Sequence, residues 1–172
     1  VGTDAHLRVL CSSHPLVSRF YREQVQRLFA AVPKLAGLFL ITGCEGFLHC
    51  FTAPANRGEG RTDCPRCGSL SAEEVVAGVC QTVAAGAREA APRAKIVIWP
   101  YNAYTWTRTP DAKRHVASLR PPLAYMGNFD TGDRGDRGGV SFTHFDYSLS
   151  CVGPSSVFRK QAEIARRNEI GK

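Results

Sequence analysis

Residues 35–42 read LAGLFLIT, an almost wholly apolar octet bounded by Pro33 upstream and Gly43 downstream. The run is far too short to cross a bilayer, and it lacks the three- and four-residue rhythm of a helix stripe. It predicts a strand buried on both faces, the kind that occurs in parallel sheets covered on both sides. Parallel strands need long crossovers, and the flanking sequence supplies them. Upstream, residues 7–12 form a short apolar run, Ser-Ser-His supplies a cap, and Pro15 opens a helix. In residues 16–31 the apolar Val17, Phe20, Tyr21, Val25, Leu28 and Phe29 recur at helical steps, leaving Arg19, Arg22, Glu23 and Arg27 outside.

Downstream, Ser71 with Glu74 three residues on predicts a capping box, opening an alanine-rich helix that Pro92 closes. Residues 96–99 (IVIW) read as the next strand. A short helix beginning at Pro110-Asp111 and ending near Pro121-Pro122 follows, then an extended stretch at 123–126, a Gly/Asp/Arg loop at 131–139, a last strand at 142–150 and a last helix at 154–168. Strand and helix thus alternate about five times, which calls for an α/β fold with a parallel sheet. An open doubly wound sheet usually carries a glycine-rich phosphate loop after its first strand, and Ser12-Ser13-His14-Pro15 is not one. The expectation is a partial (β/α)8 TIM-type barrel of about five β/α units. With 172 residues against the roughly 200 or more of a complete barrel, residues 1–172 are expected to be one barrel domain incomplete at both ends, interrupted by a long Cys-rich insertion at 43–70.

In a barrel the working residues stand at the carboxyl ends of the strands, where loops from different units converge. His14, Glu45, Trp99, Tyr101, Asn102, Tyr104, Asn128, Asp130, Asp146 and Tyr147 all fall at predicted strand ends. Carboxylates, amides and aromatic rings in that arrangement suit a sugar, because rings stack on pyranose faces and carboxylates manage protons and developing positive charge. Glu45 directly follows the apolar strand between two glycines, Gly43 and Gly46, and burial there would raise its pKa toward that of a general acid. Asp130 or Asp146 would be the second carboxylate. Expected substrate-binding residues are His14, Trp99, Tyr101, Asn102, Tyr104, Asn128 and Tyr147.

Seven cysteines cannot all pair within one chain, and Cys11, Cys80 and Cys151 sit singly in contexts that suit small buried hydrophobes. Cys44, Cys50, Cys64 and Cys67 gather within 24 positions. Cys64-Pro65-Arg66-Cys67 has zinc-knuckle spacing, and His49-Cys50 lies fourteen or fifteen positions upstream. A structural zinc held by Cys50, Cys64, Cys67 and His49, with Cys44 as the alternative fourth ligand, competes with unligated thiols and with a disulfide. No organic cofactor is expected.

The net charge of +7 comes with scattered Arg and Lys, densest in residues 159–167 at helical spacing, which reads as a solvated face; the basic residues do not cluster around the C-x-x-C pair in the way nucleic-acid binding would require. With no membrane-length apolar run and no signal-like N-terminus, a soluble cytoplasmic protein acting on a carbohydrate is expected, without nucleic-acid or membrane partners.

The succession of helix, Val32-Pro33, LAGLFLITGCEG, His49-Cys50, Cys-Pro-Arg-Cys, a second helix and IVIWPY resembles bacterial proteins related to family 20 glycoside hydrolases, the β-hexosaminidase-like (β/α)8 barrels. The likeness spans most of the chain. It implies that Glu45 is the acid after the fourth strand, that residues 7–12 and 142–150 are strands three and seven, and that Trp99, Tyr101 and Tyr104 line the sugar subsite. In that family an aspartate before the glutamate orients the substrate's acetamido group; here Cys44 occupies its place, so the resemblance carries the acid and not the acetamido-assisted step. The implied function is glycoside hydrolysis, and the alternative is a metal-stapled module that binds a glycan or a partner without cleaving it.

Overall fold

The computed structural model describes residues 9–42, 49–51, 62–99, 117–127, 133–143 and 154–170. In chain order these form α1 (Pro15–Ala31), β1 (Gly37–Ile41), α2 (Ala72–Ala90), β2 (Lys95–Trp99), β3 (Leu123–Tyr125), β4 (Arg134–Arg137), β5 (Val140–Thr143) and α3 (Ser156–Arg167). The fold is mixed α/β. β1, β2 and β3 make a three-stranded parallel sheet in that order, with Leu38 beside Ile96 and Leu40 beside Ile98. β4 and β5 form a separate antiparallel hairpin.

The helices begin where local chemistry demands. His14 caps α1 by accepting the Leu16 amide on Nδ1 at 3.2 Å, and Pro15 sits where no amide partner is needed. The Ser71–Glu74 capping box forms in both directions, at 3.2 Å from the Glu74 amide to Ser71 Oγ and 2.8 Å from the Ser71 amide to the carboxylate. Those bonds hold the Glu74 carboxyl below its ordinary pKa.

The core lies between α2 and one face of the sheet. Val76, Val79, Cys80, Ala84 and Ala87 of α2 join Ile96, Ile98 and Leu123 in a single buried cluster, with Leu38, Leu40 and Tyr125 packed against it. α1 lies along α2 because Gly86 leaves room: a Cβ there would stand 2.5 Å from the Arg22 carbonyl oxygen. Ser18 and Thr82 hydroxyls meet at 3.3 Å across this seam, and Arg22 and Gln26 both reach Glu89. Cys80, buried by these neighbours, has its thiol pKa pushed up to about 12.

Three expectations change. β1 is not buried on both faces: Phe39 is 66% exposed, on the side of the sheet away from the helices. Residues 9–12, the described end of the first predicted strand, are not a strand; the His14 amide bonds the Cys11 carbonyl at 2.9 Å and turns the chain into α1. The predicted loop at 131–139 contains β4, which turns through Gly138 and Gly139 at φ 63° and 83° into β5, so this part pairs antiparallel instead of extending the parallel sheet. No closed barrel is present among the described residues. α3 is tied to the hairpin, since the Asp133 carboxylate accepts the Ser156 amide and hydroxyl at 2.9 and 2.6 Å. Arg159, Lys160, Arg166 and Arg167 are exposed on it, the solvated face the charge pattern predicts.

Candidate metal centre

β1 and α2 both present their loop-side ends to residues 49–51 and 62–70, and α1 begins from the same side. Residues 64–70 are wound tightly: the Cys67 and Gly68 amides both bond the Cys64 carbonyl, at 3.1 and 2.8 Å, and the Leu70 amide bonds the Cys67 carbonyl at 3.0 Å. Pro65 and the Thr62 hydroxyl, which accepts the Cys64 amide at 3.3 Å, fix the entrance to this knuckle. The winding turns both thiols of the C-x-x-C pair toward Cys50 and Cys11.

The Sγ atoms of Cys11, Cys50, Cys64 and Cys67 all lie within 4.8 Å of one another. Cys11 Sγ is 3.7 Å from Cys67 Sγ and 3.5 Å from Cys64 Sγ. A disulfide would need about 2.05 Å, and all four thiols are free. A tetrahedral zinc with four thiolates at about 2.3 Å has S···S edges of about 3.8 Å, close to the 3.7 and 3.5 Å separations of Cys11 Sγ from Cys67 Sγ and Cys64 Sγ. The four cysteines could therefore hold a metal ion.

The electrostatics favour a cation at their centre. Burial pushes the Cys50 thiol far up, and its thiol neighbours add to the effect; burial and the Cys64 and Cys67 thiols raise Cys11 as well. Burial opposes charge on Cys64 too, but the Arg66 and Cys67 amides and the Cys11 and Cys50 thiols outweigh it and hold Cys64 at about 7. The Cys64 thiolate is thus easily formed while Cys50 and Cys11 resist ionisation, which is the situation a divalent ion reverses. Ser13 Oγ stands 3.3 Å from Cys67 Sγ, placed to donate to a thiolate there.

The predicted ligand set changes in one member. His49 is fully buried beside Cys50, but its ring does not join the converging thiols. Nδ1 accepts the Phe51 amide at 3.2 Å and Nε2 meets the Thr42 carbonyl at 3.1 Å, so both nitrogens serve the backbone. Burial lowers its pKa to about 4, and the ring is neutral. The fourth thiol is Cys11, which its single, apolar setting had marked as a packing residue. Its only signal in the sequence is a place just before a helix, 53 and 56 positions from its partners. Cys44, the alternative ligand, lies outside the described residues.

Of the predicted sugar-site residues, His14 is the cap of α1 and Trp99 ends β2, half-buried. Glu45, Tyr101, Asn102, Tyr104, Asn128, Asp130, Asp146 and Tyr147 lie outside the described residues. An open groove of about 550 Å³ at the start of α2, lined by Ser71, Glu73, Glu74, Ala77, Ala117, Ser118 and Arg120, contains none of them. Among the described residues no helix is long and apolar enough to cross a membrane. Compared with known proteins, the chain matches no family, no curated protein and no solved structure.

Proposed function

We propose that Cys11, Cys50, Cys64 and Cys67 hold a structural zinc ion, and that the domain it braces hydrolyses glycosides with Glu45 as general acid. The convergence of four sulfur atoms within 4.8 Å carries the first half. Soft thiolates in a tetrahedral set select zinc over hard cations, and four protein ligands leave no open position for substrate or water. The ion therefore braces, and chemistry belongs elsewhere.

The second half draws support from what brackets Glu45. Thr42 and His49, the described residues on either side of 43–48, are 1% and 0% exposed and are bonded to each other. They stand at the carboxyl end of β1, where parallel α/β folds build their sites. The Thr42 amide bonds the Trp99 carbonyl at 3.1 Å, which sets an aromatic residue on the neighbouring strand at the same edge. Thr42 Oγ1 is buried there with no hydrogen-bond partner among the described residues. Asp130 or Asp146 would be the second carboxylate.

Elemental analysis with thiol titration tests the zinc: one zinc per chain, with four thiols that react only after chelation, is the expected result, and a metal-free chain whose loop thiols titrate at once overturns it. A panel of aryl glycosides tests the activity. Glu45→Gln is expected to lower turnover by about 10²- to 10⁴-fold. Unchanged hydrolysis in that variant overturns the acid, and glycan binding without any hydrolysis by the parent chain points to the non-cleaving module.

A further inference from the structure

His49 is the one fully buried imidazole of the described residues, it adjoins a metal-site thiol, and the zinc proposed above does not use it. Its ring bonds to Thr42 and Phe51 fix its state. Because the Phe51 N–H donates to Nδ1, that nitrogen carries no proton, so Nε2 carries one and donates it to the Thr42 carbonyl. No other protonation state satisfies both backbone groups: a charged ring would face the Phe51 amide with a second donor, and a metal-bound ring would leave a buried amide or carbonyl unpaired.

These bonds form a continuous path. Cys50 is 3% exposed, and its sulfur lies among the converging thiols. The turn it shares with His49 and Phe51 is closed by the Phe51 amide on Nδ1; Nε2 grips the Thr42 carbonyl just after β1; and the Thr42 amide holds the Trp99 carbonyl at the end of β2. We infer that His49 is a positioning residue that couples occupancy of the four-cysteine centre to the carboxyl edge of the parallel sheet, through Thr42 to Trp99. The inference rests on the metal reading and not on the identity of any substrate. With the ion bound, Cys50 is fixed and the ring is pressed against Thr42. With the ion removed, the turn loses its anchor and the Thr42–Trp99 bond opens more often. A site at this edge is then assembled only in the metal-loaded protein.

Amide hydrogen exchange on the full chain reads this directly, with the Ala91 amide, bonded to the Ala87 carbonyl at the far end of α2, as the internal control. Chelation is expected to speed exchange at Thr42 and Phe51 by roughly five- to tenfold and to leave Ala91 unchanged. His49→Ala should produce the same acceleration while still binding one zinc per chain. Its cobalt-substituted form should keep the absorption of a four-thiolate tetrahedron. His49→Gln, whose carboxamide can donate to Thr42 and accept from Phe51, should recover part of the protection, and it stands in should the alanine variant fail to fold. Loss of zinc or an altered cobalt spectrum in both variants makes His49 a ligand and overturns the inference. Thr42 exchange that ignores both chelation and substitution in a zinc-loaded chain overturns the coupling alone. A parent chain that takes up no zinc overturns the metal reading and the coupling with it.

Discussion

The helix–sheet body and the cysteine-lined end of this molecule are held together by different physics. In the body, stability is spread over many apolar side chains: Val76, Ala87, Ile96 and Ile98 are each wholly buried between α2 and the sheet. At the other end, residues 49–51 and 62–70 contribute few large apolar side chains to the core, Phe51 chief among them, and are organised by four thiols, one imidazole and a series of tight turns. A distributed core loses a share of its stability with each deletion. With the proposed zinc bound, the cysteine-lined end would lose all of its stabilisation when a ligand goes, because structural zinc sites concentrate binding free energy in a few bonds.

The contrast is sharpest where a ligand is removed. Cys67→Ser should abolish stoichiometric zinc and destabilise by more than about 5 kcal/mol relative to the zinc-loaded chain, lowering the thermal midpoint by roughly 10–20 °C. Limited proteolysis should then cut within 62–70 while the helical circular dichroism of α1 and α2 persists. Simultaneous loss of helix signal would break the division into two regions. Ile98→Ala, on the body side, should cost about 3–4 kcal/mol by denaturant titration with zinc content unchanged. Loss of zinc in that variant would show the two ends to be one cooperative unit.

Acid probes the boundary between the regions, through His49. Imidazole ordinarily titrates at 6.5, and burial holds His49 at about 4. Above pH 6.5 the ring is neutral in both folded and unfolded chains and contributes no pH dependence. Between 6.5 and 4 the unfolded chain takes up a proton that the folded chain refuses, so stability falls as pH falls, by about 3 kcal/mol over the window. Protonation of zinc-bound thiolates acts in the same direction, so the measurement is the difference between the parent and His49→Gln, both chelated. A parent slope no steeper than the variant's would refute the buried neutral ring. The smallest effect belongs to Ser71→Ala, which removes one side of the capping box of α2. It should cost about 1 kcal/mol, read as a shifted denaturant midpoint with unchanged slope.

Much of the body is legible in the sequence. The 16–31 periodicity, the Ser71–Glu74 box and the IVIW run became α1, the start of α2 and β2 within a residue or two, because caps and amphipathic rhythm act over one or two turns. The octet at 35–42 gave β1 but misled about burial, since an apolar run cannot say whether anything covers its second face, and Phe39 is exposed. The glycine pair at 138–139 closes a hairpin where the sequence pattern suggests a loop, because the strand before it, Arg134–Arg137, is charged where strands are usually apolar.

The four-cysteine cluster divides in the same way. The C-x-x-C pair and Cys50 stood out by spacing alone, and the local turn at 64–70 is what makes that spacing useful. Choosing between His49 and Cys11 required the tertiary structure. His49 is the nearer in sequence, but the end of β1 claims its ring for the backbone. Cys11 is distant, and it arrives only because α1 packs along α2 through the gap at Gly86 and brings the turn before Pro15 to the knuckle. The sequence by itself determined which segments are helix and strand and that a thiol-rich loop interrupts them, since those are local matters of caps, periodicity and spacing. Which fourth thiol joins the cluster was decided by helix packing, a contact between residues more than fifty positions apart that no local pattern encodes.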